Sequence, residues 1–394
     1  MAASREILEC WFEGRPTRKA YLVADGDKLA GTGAHSYSTW ARQPEAEPAT
    51  TTPWPTWELE LLMHAQVLKA FGGPDYLELR DIPKPEVRPG TVLIRIAAAS
   101  VNPIDAKIMS GLPSRLPIGP DLPAVLGADL AGTVEEVGAG VLDFRSGDEV
   151  YGCAGGVKGL GGTLAEYIVA DARLLAPKPS TLSLHEAAAL PLVTITAWEG
   201  LERGEILASD HVLIHGGVGG VGHVAVQLAK AAGARVATTI ASPEAAAVAR
   251  RLGAEETINF HDESVTAYVD RLTAGRGFDL IFDTVGGDNL RVSFEAAADE
   301  GRIATTNAII TQDLSPLHVK ALSFYVIFML LPLLHRGLGR DRYARILRSA
   351  AALVDAGRLR PLLDDSHFTL AEAGDAFRRL GSRKALGKVV VDIS

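Results

Sequence analysis

A cluster of glycines at positions 216–222 constrains the fold of this chain more than any other feature of its sequence. The cluster follows "HVLIH" (His211–His215), a short apolar stretch typical of a buried strand. It precedes "GHVAVQLAKAAG", which has the apolar spacing of a helix, and then "ARVATTI", which is typical of a further strand. The pattern therefore predicts a strand, a glycine-rich turn, a helix and a second strand in direct succession.

Within this turn, Gly217, Gly219 and Gly222 have the G-x-G-x-x-G spacing. Such glycines let the backbone turn tightly and approach a pyrophosphate, while the helix N-terminus offers free N–H groups. The turn therefore predicts a dinucleotide site, against the alternative of a glycine-rich turn without a ligand. The predicted contacts are Gly216, Gly217, Val218, Gly219, Gly220, Val221 and Gly222.

The charge and the cysteine content exclude several classes of protein. A formal net charge of −9 over 394 residues argues against nucleic acid or an anionic membrane surface as the main partner. The two cysteines, Cys10 and Cys153, cannot form a disulfide framework or a cysteine-rich zinc site, which favours a reducing, cytoplasmic location. The apolar run Ala321–Leu334 contains Pro332 and is shorter than the roughly 20 residues of a membrane span, so it predicts a buried helix or strand.

Changes in composition and in the strand and helix patterns divide the chain into four parts. Residues 1–62 contain a proline- and threonine-rich stretch and are predicted to be poorly ordered or a translation artefact, the alternative being a docking tail. Residues 63–185 have many short strand patterns separated by turns, which favours a compact barrel-like domain. Residues 186–315 alternate strands with helices, which predicts a parallel sheet. Residues 316–394 are predicted to return to the first domain.

Several short motifs stand in a fixed order after residue 100. They are Val101–Gly111, Leu126–Gly138, Gly147–Gly152, Ala165–Val169, Ala187–Leu201, the glycine turn, Phe278–Gly287 and the closing "GKVVV". From Met63 to Ser394, the chain resembles a zinc-free member of the medium-chain dehydrogenase/reductase superfamily, in the branch of quinone oxidoreductases and alkenal or enone reductases. The resemblance implies an α/β protein with a GroES-like β-barrel catalytic domain and a doubly wound Rossmann domain. It also implies a nicotinamide cofactor between the domains and a homodimer.

The zinc-binding members of this superfamily carry G-H-E where this chain has Gly127, Ala128 and Asp129. A catalytic zinc needs three protein ligands, and Cys153 has no matching partners in the sequence. His211 and His215 are four apart on a predicted strand, where their spacing does not form a helical ligand pair. No metal site is therefore predicted.

Without a metal, a conjugated carbonyl is a more accessible hydride acceptor than an ordinary one, because charge spreads to its oxygen. Such a site needs a positioned cofactor and hydrogen-bond donors near that oxygen. Asn102 offers an amide donor for this purpose. By resemblance, Asn102 lies beside the nicotinamide and the substrate, and Thr196 contacts the nicotinamide amide. Lys107 is a candidate donor, and Asp105 is a candidate for positioning Lys107 or its loop. The alternatives are a solvated Lys107, an Asp105 that caps a helix starting at about Ala106, and an ordinary helix-face Thr196.

The cofactor is predicted from the end of the second strand of the dinucleotide unit. An NAD site usually has an acidic residue there, whereas this chain has Ile240, with Ser242 two residues later. The absence of the acid removes repulsion of a 2′-phosphate, and Ser242 could donate to it, so NADPH is favoured and NADH stays an alternative. NADPH-dependent relatives often have a lysine where this chain has Ala245 and a tyrosine where it has Phe260. At these two positions the chain therefore lacks the residues typical of an NADPH site.

These features predict a reductase that transfers hydride from NADPH to a small quinone or α,β-unsaturated carbonyl. Two other functions stay open on the sequence alone. One is a reductase of a larger enone or an enoyl thioester. The other is a non-enzymatic nicotinamide-binding sensor, because a fold does not by itself establish chemistry.

Overall fold

The computed structural model describes residues 62–111, 118–335 and 339–393. The predictions made for residues 1–61 lie outside the described residues. The strands are β1 (Leu62–Leu68), β2 (Leu77–Pro83), β3 (Thr91–Val101), β4 (Ala124–Val125), β5 (Asp129–Val137), β6 (Glu149–Cys153), β7 (Tyr167–Asp171), β8 (Leu175–Pro177), β9 (His211–His215), β10 (Arg235–Ile240), β11 (Glu256–Asn259), β12 (Phe278–Asp283), β13 (Ala297–Thr305), β14 (Ser323–Val326), β15 (Phe368–Thr369) and β16 (Val389–Asp392).

The helices lie mainly in the second half of the chain. They are α1 (Pro103–Met109), α2 (Leu184–Ala188), α3 (Pro191–Arg203), α4 (Gly220–Ala231), α5 (Pro243–Leu252), α6 (Val265–Thr273), α7 (Asn289–Ala296), α8 (Ser315–Val319), α9 (Leu331–Leu334), α10 (Arg340–Asp355) and α11 (Ala373–Gly381). None of the described helices is both long enough and apolar enough to cross a membrane.

The sheet formed by strands β9 to β14 is parallel, as the alternating strands and helices predict. Its order is β11-β10-β9-β12-β13-β14, and each neighbouring pair runs parallel. Counted from β9, this is the 3-2-1-4-5-6 order of a doubly wound dinucleotide-binding sheet. The sheet extends past residue 315, because β14 pairs with β13.

The first domain consists of two mainly antiparallel sheets. The smaller sheet has the order β2-β1-β4, and the larger follows the path β15-β16-β3-β5-β6-β8, with β7 also paired to β3. In the described strands this path is open, so the predicted barrel-like domain of short antiparallel strands is formed without closure of the barrel. Local patterns predict short strands and turns, but they do not determine whether the terminal strands pair with each other.

The apolar run at residues 321–334 is divided between two elements. Its first part is β14, and its last part is the short helix α9, with Leu333 buried. The closing strand β16 returns to the first domain, where it pairs antiparallel to β3 from Val389–Val101 to Asp392–Ala98. The dinucleotide-binding sheet is therefore inserted between strands that pair with each other.

Candidate active site

The glycine turn lies at the switch point of the parallel sheet. It follows β9, whose two neighbours are β10 on one side and β12 on the other. In open parallel sheets, ligands bind at the carboxyl ends of the strands where the strand order reverses. The fold therefore places the predicted turn where a dinucleotide is expected.

Four of the five glycines of the turn have an identifiable structural reason. Gly216 has φ +73, a left-handed conformation that favours glycine. A Cβ added to Gly217 would lie 2.1 Å from Thr238 Oγ1, and one added to Gly222 would lie 2.0 Å from the Gly216 carbonyl oxygen. A Cβ added to Gly219 would approach the same oxygen only to 3.2 Å. Gly216 therefore permits the turn, Gly217 and Gly222 permit close packing, and Gly219 leaves the space that a ligand would need.

Helix α4 begins directly after Gly219, its N-cap residue, and no side chain caps it. Its first N–H groups are therefore available to an anion, and the positive end of the helix dipole favours one. Val218 and Val221 are half-buried beside them. The Val218 carbonyl oxygen accepts a hydrogen bond from Gly387 N at 2.8 Å, which joins the turn to the C-terminal segment.

The residues predicted to contact the rest of the cofactor lie at the same edge of the sheet. β10 ends at the buried Ile240, and Ser242 caps α5 by accepting from Ala245 N at 3.2 Å. The backbone nitrogen of Phe260 lies 3.3 Å from the Ile240 carbonyl oxygen, and Phe260 is 55% exposed.

Thr196 lies buried on α3, where its hydroxyl donates to the Leu192 carbonyl oxygen at 2.7 Å. The hydroxyl oxygen can still accept a hydrogen bond. A contact between Thr196 and a nicotinamide amide therefore stays a prediction, in which the amide is the donor.

Asn102 and Asp105 form the beginning of α1. The helix starts at Pro103, three residues earlier than the predicted start at about Ala106. Asn102 is its N-cap residue, and Asp105 Oδ2 accepts from Asn102 N at 2.9 Å in a capping box. Asp105 is fully buried and holds this loop, whereas Lys107 is exposed on α1. The structure therefore does not bring Asp105 and Lys107 together as an ion pair.

The Asn102 amide is completely enclosed. Its Nδ2 donates to Asp129 Oδ2 at 3.0 Å and lies 3.4 Å from the Ser100 carbonyl oxygen, while its Oδ1 accepts from Lys388 Nζ. Both hydrogens of the amide are thus directed at protein acceptors. In this arrangement, Asn102 organises the loop and does not present a free donor.

Sequence reasoning missed two charged members of this cluster, Asp129 and Lys388. Asp129 accepts from Ser100 Oγ at 2.9 Å and from Leu192 N at 2.8 Å, in addition to Asn102. Lys388 Nζ lies 3.4 Å from Asp129 Oδ2. Both residues stand inside motifs quoted above, and a lysine directly before three valines was the available signal of burial.

Burial dominates the electrostatics of this cluster. Burial and the neighbouring Asp129 carboxylate raise the pKa of Asp105 to about 7. Burial also lowers the pKa of Lys388, against the attraction of Asp129 and Asp105. Burial raises the pKa of the Cys153 thiol well above its usual value. Cys153 is therefore not an activated thiolate, and the cluster is close to charge balance when Asp105 holds a proton.

We expect Asp105 to make stability depend on pH. Its folded-state pKa of about 7 lies above the usual value of 3.8 for an aspartic acid. The stabilisation that depends on protonated Asp105 is therefore complete below pH 3.8 and is lost as pH rises towards 7. Between pH 5 and 7 the free energy of unfolding should fall by about 1 kcal/mol per pH unit. Asp105→Asn keeps an acceptor for the capping box and should remove this slope, as measured by urea unfolding at several pH values.

Asp364→Asn is the matched control for that measurement. The pKa of Asp364 is lowered to about 2, against its burial, by hydrogen bonds from Arg379, Ser366 and Leu386. Its titration therefore lies outside the window from pH 5 to 7. Parallel stability curves for the wild type and Asp105→Asn would contradict the assignment to Asp105.

The residues at this edge fit a nicotinamide dinucleotide. The open side of Gly219, the uncapped N-terminus of α4 and the exposed ring of Phe260 provide places for its phosphates and an aromatic base. Among the described residues, no group of three or more His, Cys, Asp or Glu side chains could hold a metal ion.

Comparison with known proteins gives relatives over most of the chain. Residues 88–180 match the family described as alcohol dehydrogenase GroES-like domain, and residues 252–391 match that described as zinc-binding dehydrogenase. A chloroplastic NADPH-dependent alkenal/one oxidoreductase of Arabidopsis thaliana is 33% identical over 337 residues, which cover 84% of this chain and 79% of that protein.

Solved structures agree with this relationship. An alcohol dehydrogenase superfamily protein from Novosphingobium aromaticivorans has a TM-score of 0.80 and 42% identity, over 84% of this chain and all of that chain. The Escherichia coli quinone oxidoreductase, complexed with NADPH, has a TM-score of 0.75 and 25% identity, over 84% of this chain and 99% of that chain. The chain therefore belongs to the medium-chain dehydrogenase/reductase superfamily, with a GroES-like domain and a parallel-sheet Rossmann domain.

Proposed function

We propose that this protein is an NADPH-dependent oxidoreductase that reduces quinones or α,β-unsaturated carbonyl compounds without zinc. The observation that carries the proposal is the direct junction between the glycine turn and the buried Asn102 loop, made by Gly387 and Lys388. This junction brings a dinucleotide-binding turn and a polar loop of the other domain to one place. The relatives named as an NADPH-dependent alkenal/one oxidoreductase and as a quinone oxidoreductase support this reaction class.

The bound dinucleotide would supply the hydride. The turn from Gly216 to Gly222 and the N-terminus of α4 would hold its phosphates. Ser242 would face the 2′-phosphate, because β10 ends without an acidic residue. Phe260 would cover the adenine, and Thr196 would accept from the nicotinamide amide. Asn102 would keep the loop in shape beside the nicotinamide.

The test is a turnover assay with purified full-length protein. NADPH or NADH is mixed with a panel of quinones, 2-alkenals, enones and an enoyl thioester, and loss of the reduced-nicotinamide absorbance is followed. We expect faster turnover with NADPH and with a quinone or a small enone. Turnover of the thioester alone would support the larger-substrate alternative, and NADPH binding without any turnover would support a sensor.

Lys107 is the proposed proton or hydrogen-bond donor to the substrate oxygen, because it is exposed on the helix that follows Asn102. Removal of such a donor typically slows catalysis by about 10²–10⁴-fold. We expect Lys107→Met to lower kcat/KM to that extent without changing NADPH affinity, and Lys107→Arg to retain part of the rate. An unchanged kcat/KM in Lys107→Met would remove Lys107 from the mechanism.

Independence from zinc is proposed from the donor set. Asp129 stands where zinc-binding relatives have the last residue of G-H-E, and here its carboxylate already accepts from Asn102, Ser100 and Leu192 and lies beside the Lys388 ammonium. A divalent cation would have to displace that ammonium. Activity that survives exhaustive chelation, with no zinc found by elemental analysis, is the expected result; loss of activity that added zinc restores would contradict it.

A homodimer is proposed from the edge of the parallel sheet. β14 is the last strand of the sheet, and no described strand pairs with its outer edge. Leu314 and Val319, which precede it, are exposed apolar side chains, with Val319 81% exposed. Two copies pairing at β14 would cover both features. Sedimentation should therefore show twice the mass of one chain, and a purely monomeric protein would refute this arrangement.

A cytoplasmic location is proposed from the cysteines. The sequence contains two, and Cys153 is buried and free. Proteins of reducing compartments commonly keep such thiols. Fractionation of cells that make the protein would test this, and recovery from an oxidising compartment would contradict it.

A further inference from the structure

We infer that Lys388 is a positioning residue for the proposed reaction: it fixes the Asn102 amide and joins the Asn102 loop to the dinucleotide-binding turn. The inference rests on the proposed function and adds a residue to it. Lys388 is 3% exposed, and it directly precedes β16. A lysine is seldom this deeply buried unless its charge is paired.

Three oxygens surround the Lys388 ammonium. They are Asn102 Oδ1, the Val101 carbonyl oxygen at 3.3 Å and Asp129 Oδ2 at 3.4 Å. An ammonium group has three hydrogens to donate and accepts none. The surroundings therefore account for every hydrogen of Lys388, and they leave none for a substrate in this arrangement. Lys388 therefore acts by holding other residues of the site, and not by contacting the substrate.

This arrangement gives the Asn102 amide only one chemically consistent orientation. The two ends of an amide look alike in shape, but one accepts hydrogen bonds and the other donates them. Lys388 can only donate, so it selects Oδ1, while the Asp129 carboxylate accepts and selects Nδ2. Without the ammonium, one of the two constraints on the amide is lost.

The backbone at Lys388 is held against the dinucleotide-binding turn. The preceding Gly387 has φ +75 and donates its N–H to the Val218 carbonyl oxygen at 2.8 Å. A Cβ added to Gly220 would lie 3.4 Å from Lys388 Cδ, so the lysine stem lies beside the first turn of α4. Asp129 completes the junction by accepting from Leu192 N near the start of α3. Lys388 thus connects the residues that orient the site with those predicted to hold the cofactor.

The test compares Lys388→Met with wild-type full-length protein in the same assay. Misplacement of reacting groups by about 1 Å can cost about a hundredfold in rate. We expect kcat to fall by about ten- to a hundredfold, while the Kd for NADPH, measured by fluorescence titration, changes less than about threefold. Lys388→Arg, which keeps a buried cation, should recover part of kcat.

Lys178→Met is the matched control. Lys178 is a half-buried lysine whose side chain is only 8% exposed, with its Nζ bonded to the carbonyl oxygens of Pro179 and Leu182 and 3.3 Å from Glu149 Oε2. It lies outside the proposed site, so its loss reports the general effect of removing a buried lysine. We expect Lys178→Met to keep the wild-type kcat even if its Tm falls.

A double variant separates positioning from a folding defect. Lys388→Met leaves the Asp129 carboxylate without its cation, whereas Lys388→Met with Asp129→Asn leaves neither charge. The double variant should fold and still lack the normal kcat. If either variant has the wild-type kcat, or if only its NADPH affinity falls, Lys388 is not a positioning residue, and the proposed function still stands. If the wild-type protein itself shows no turnover, both the role of Lys388 and the proposed function are overturned.

Discussion

Gly219→Val should leave a folded protein that binds NADPH at least tenfold more weakly, a loss of about 1.4 kcal/mol or more of binding free energy. Gly219 has φ −80 and ψ 178, an extended conformation that valine adopts without strain. The atom nearest to the added Cβ would be the Gly216 carbonyl oxygen at 3.2 Å, so the fold needs only a small adjustment. The new methyl groups would occupy the space into which the phosphates are proposed to fit. Fluorescence titration with NADPH measures the effect.

Two further glycine variants serve as controls for the NADPH affinity of Gly219→Val. Gly381→Val adds the same side chain at an exposed position, where the new Cβ would meet no atom within 4 Å apart from its own helix backbone, so its NADPH affinity should equal that of the wild type. Gly222→Val should instead disrupt folding, because its Cβ would lie 2.0 Å from the Gly216 carbonyl oxygen. Wild-type affinity in Gly219→Val would show that the phosphates do not approach this part of the backbone.

Asp129→Ala should be among the most destabilising single substitutions in the chain. It removes the acceptor for Ser100, Asn102 and Leu192 and leaves the Lys388 ammonium buried without a close carboxylate. Breaking a buried ion pair from one side typically costs 3–5 kcal/mol, which corresponds to a fall in Tm of roughly 5–10 °C. Thermal unfolding followed by circular dichroism measures this fall.

The double variant Asp129→Ala with Lys388→Met tests whether the cost comes from the pair. If the unpaired ammonium is responsible, the double variant should lose clearly less stability than the two single variants added together. Ser100→Ala is the control, because it removes one hydrogen bond to Asp129 and no charge, and should cost about 1–3 kcal/mol. Additive losses, or a Tm of Asp129→Ala within a degree of the wild type, would contradict the role given to this pair.

Local patterns in the sequence were sufficient for the dinucleotide-binding sheet. The strand before Gly216 and the helix after it both depend on residues close together in the chain, so their periodicity predicts them. The absence of an acid at the end of β10 can be read in the same way, and the structure ends that strand at Ile240. These features require no knowledge of how distant segments pair.

The Asn102 cluster could not be predicted in that way. Lys388 and Asn102 are 286 residues apart in the sequence, and they meet only because β16 pairs with β3 in one register. A shift of one residue would turn the side chains of β16 to the other face of the sheet. For the same reason, sequence reasoning did not foresee that the Asn102 amide is enclosed by Asp129, at the start of β5, and by Lys388, directly before β16.

The pairing of β16 with β3 also has a consequence for biosynthesis. A ribosome makes the chain from its N-terminus, so the whole parallel sheet is translated between two strands that must later join. Contacts at such long sequence separation form late, because a large loop must close before they stabilise anything. A nascent chain can thus have a complete nucleotide-binding turn while Lys388 is still inside the ribosome. Under the proposed function, an unfinished molecule lacks the residue that orients the Asn102 amide and should consume reduced nicotinamide much more slowly than the finished protein.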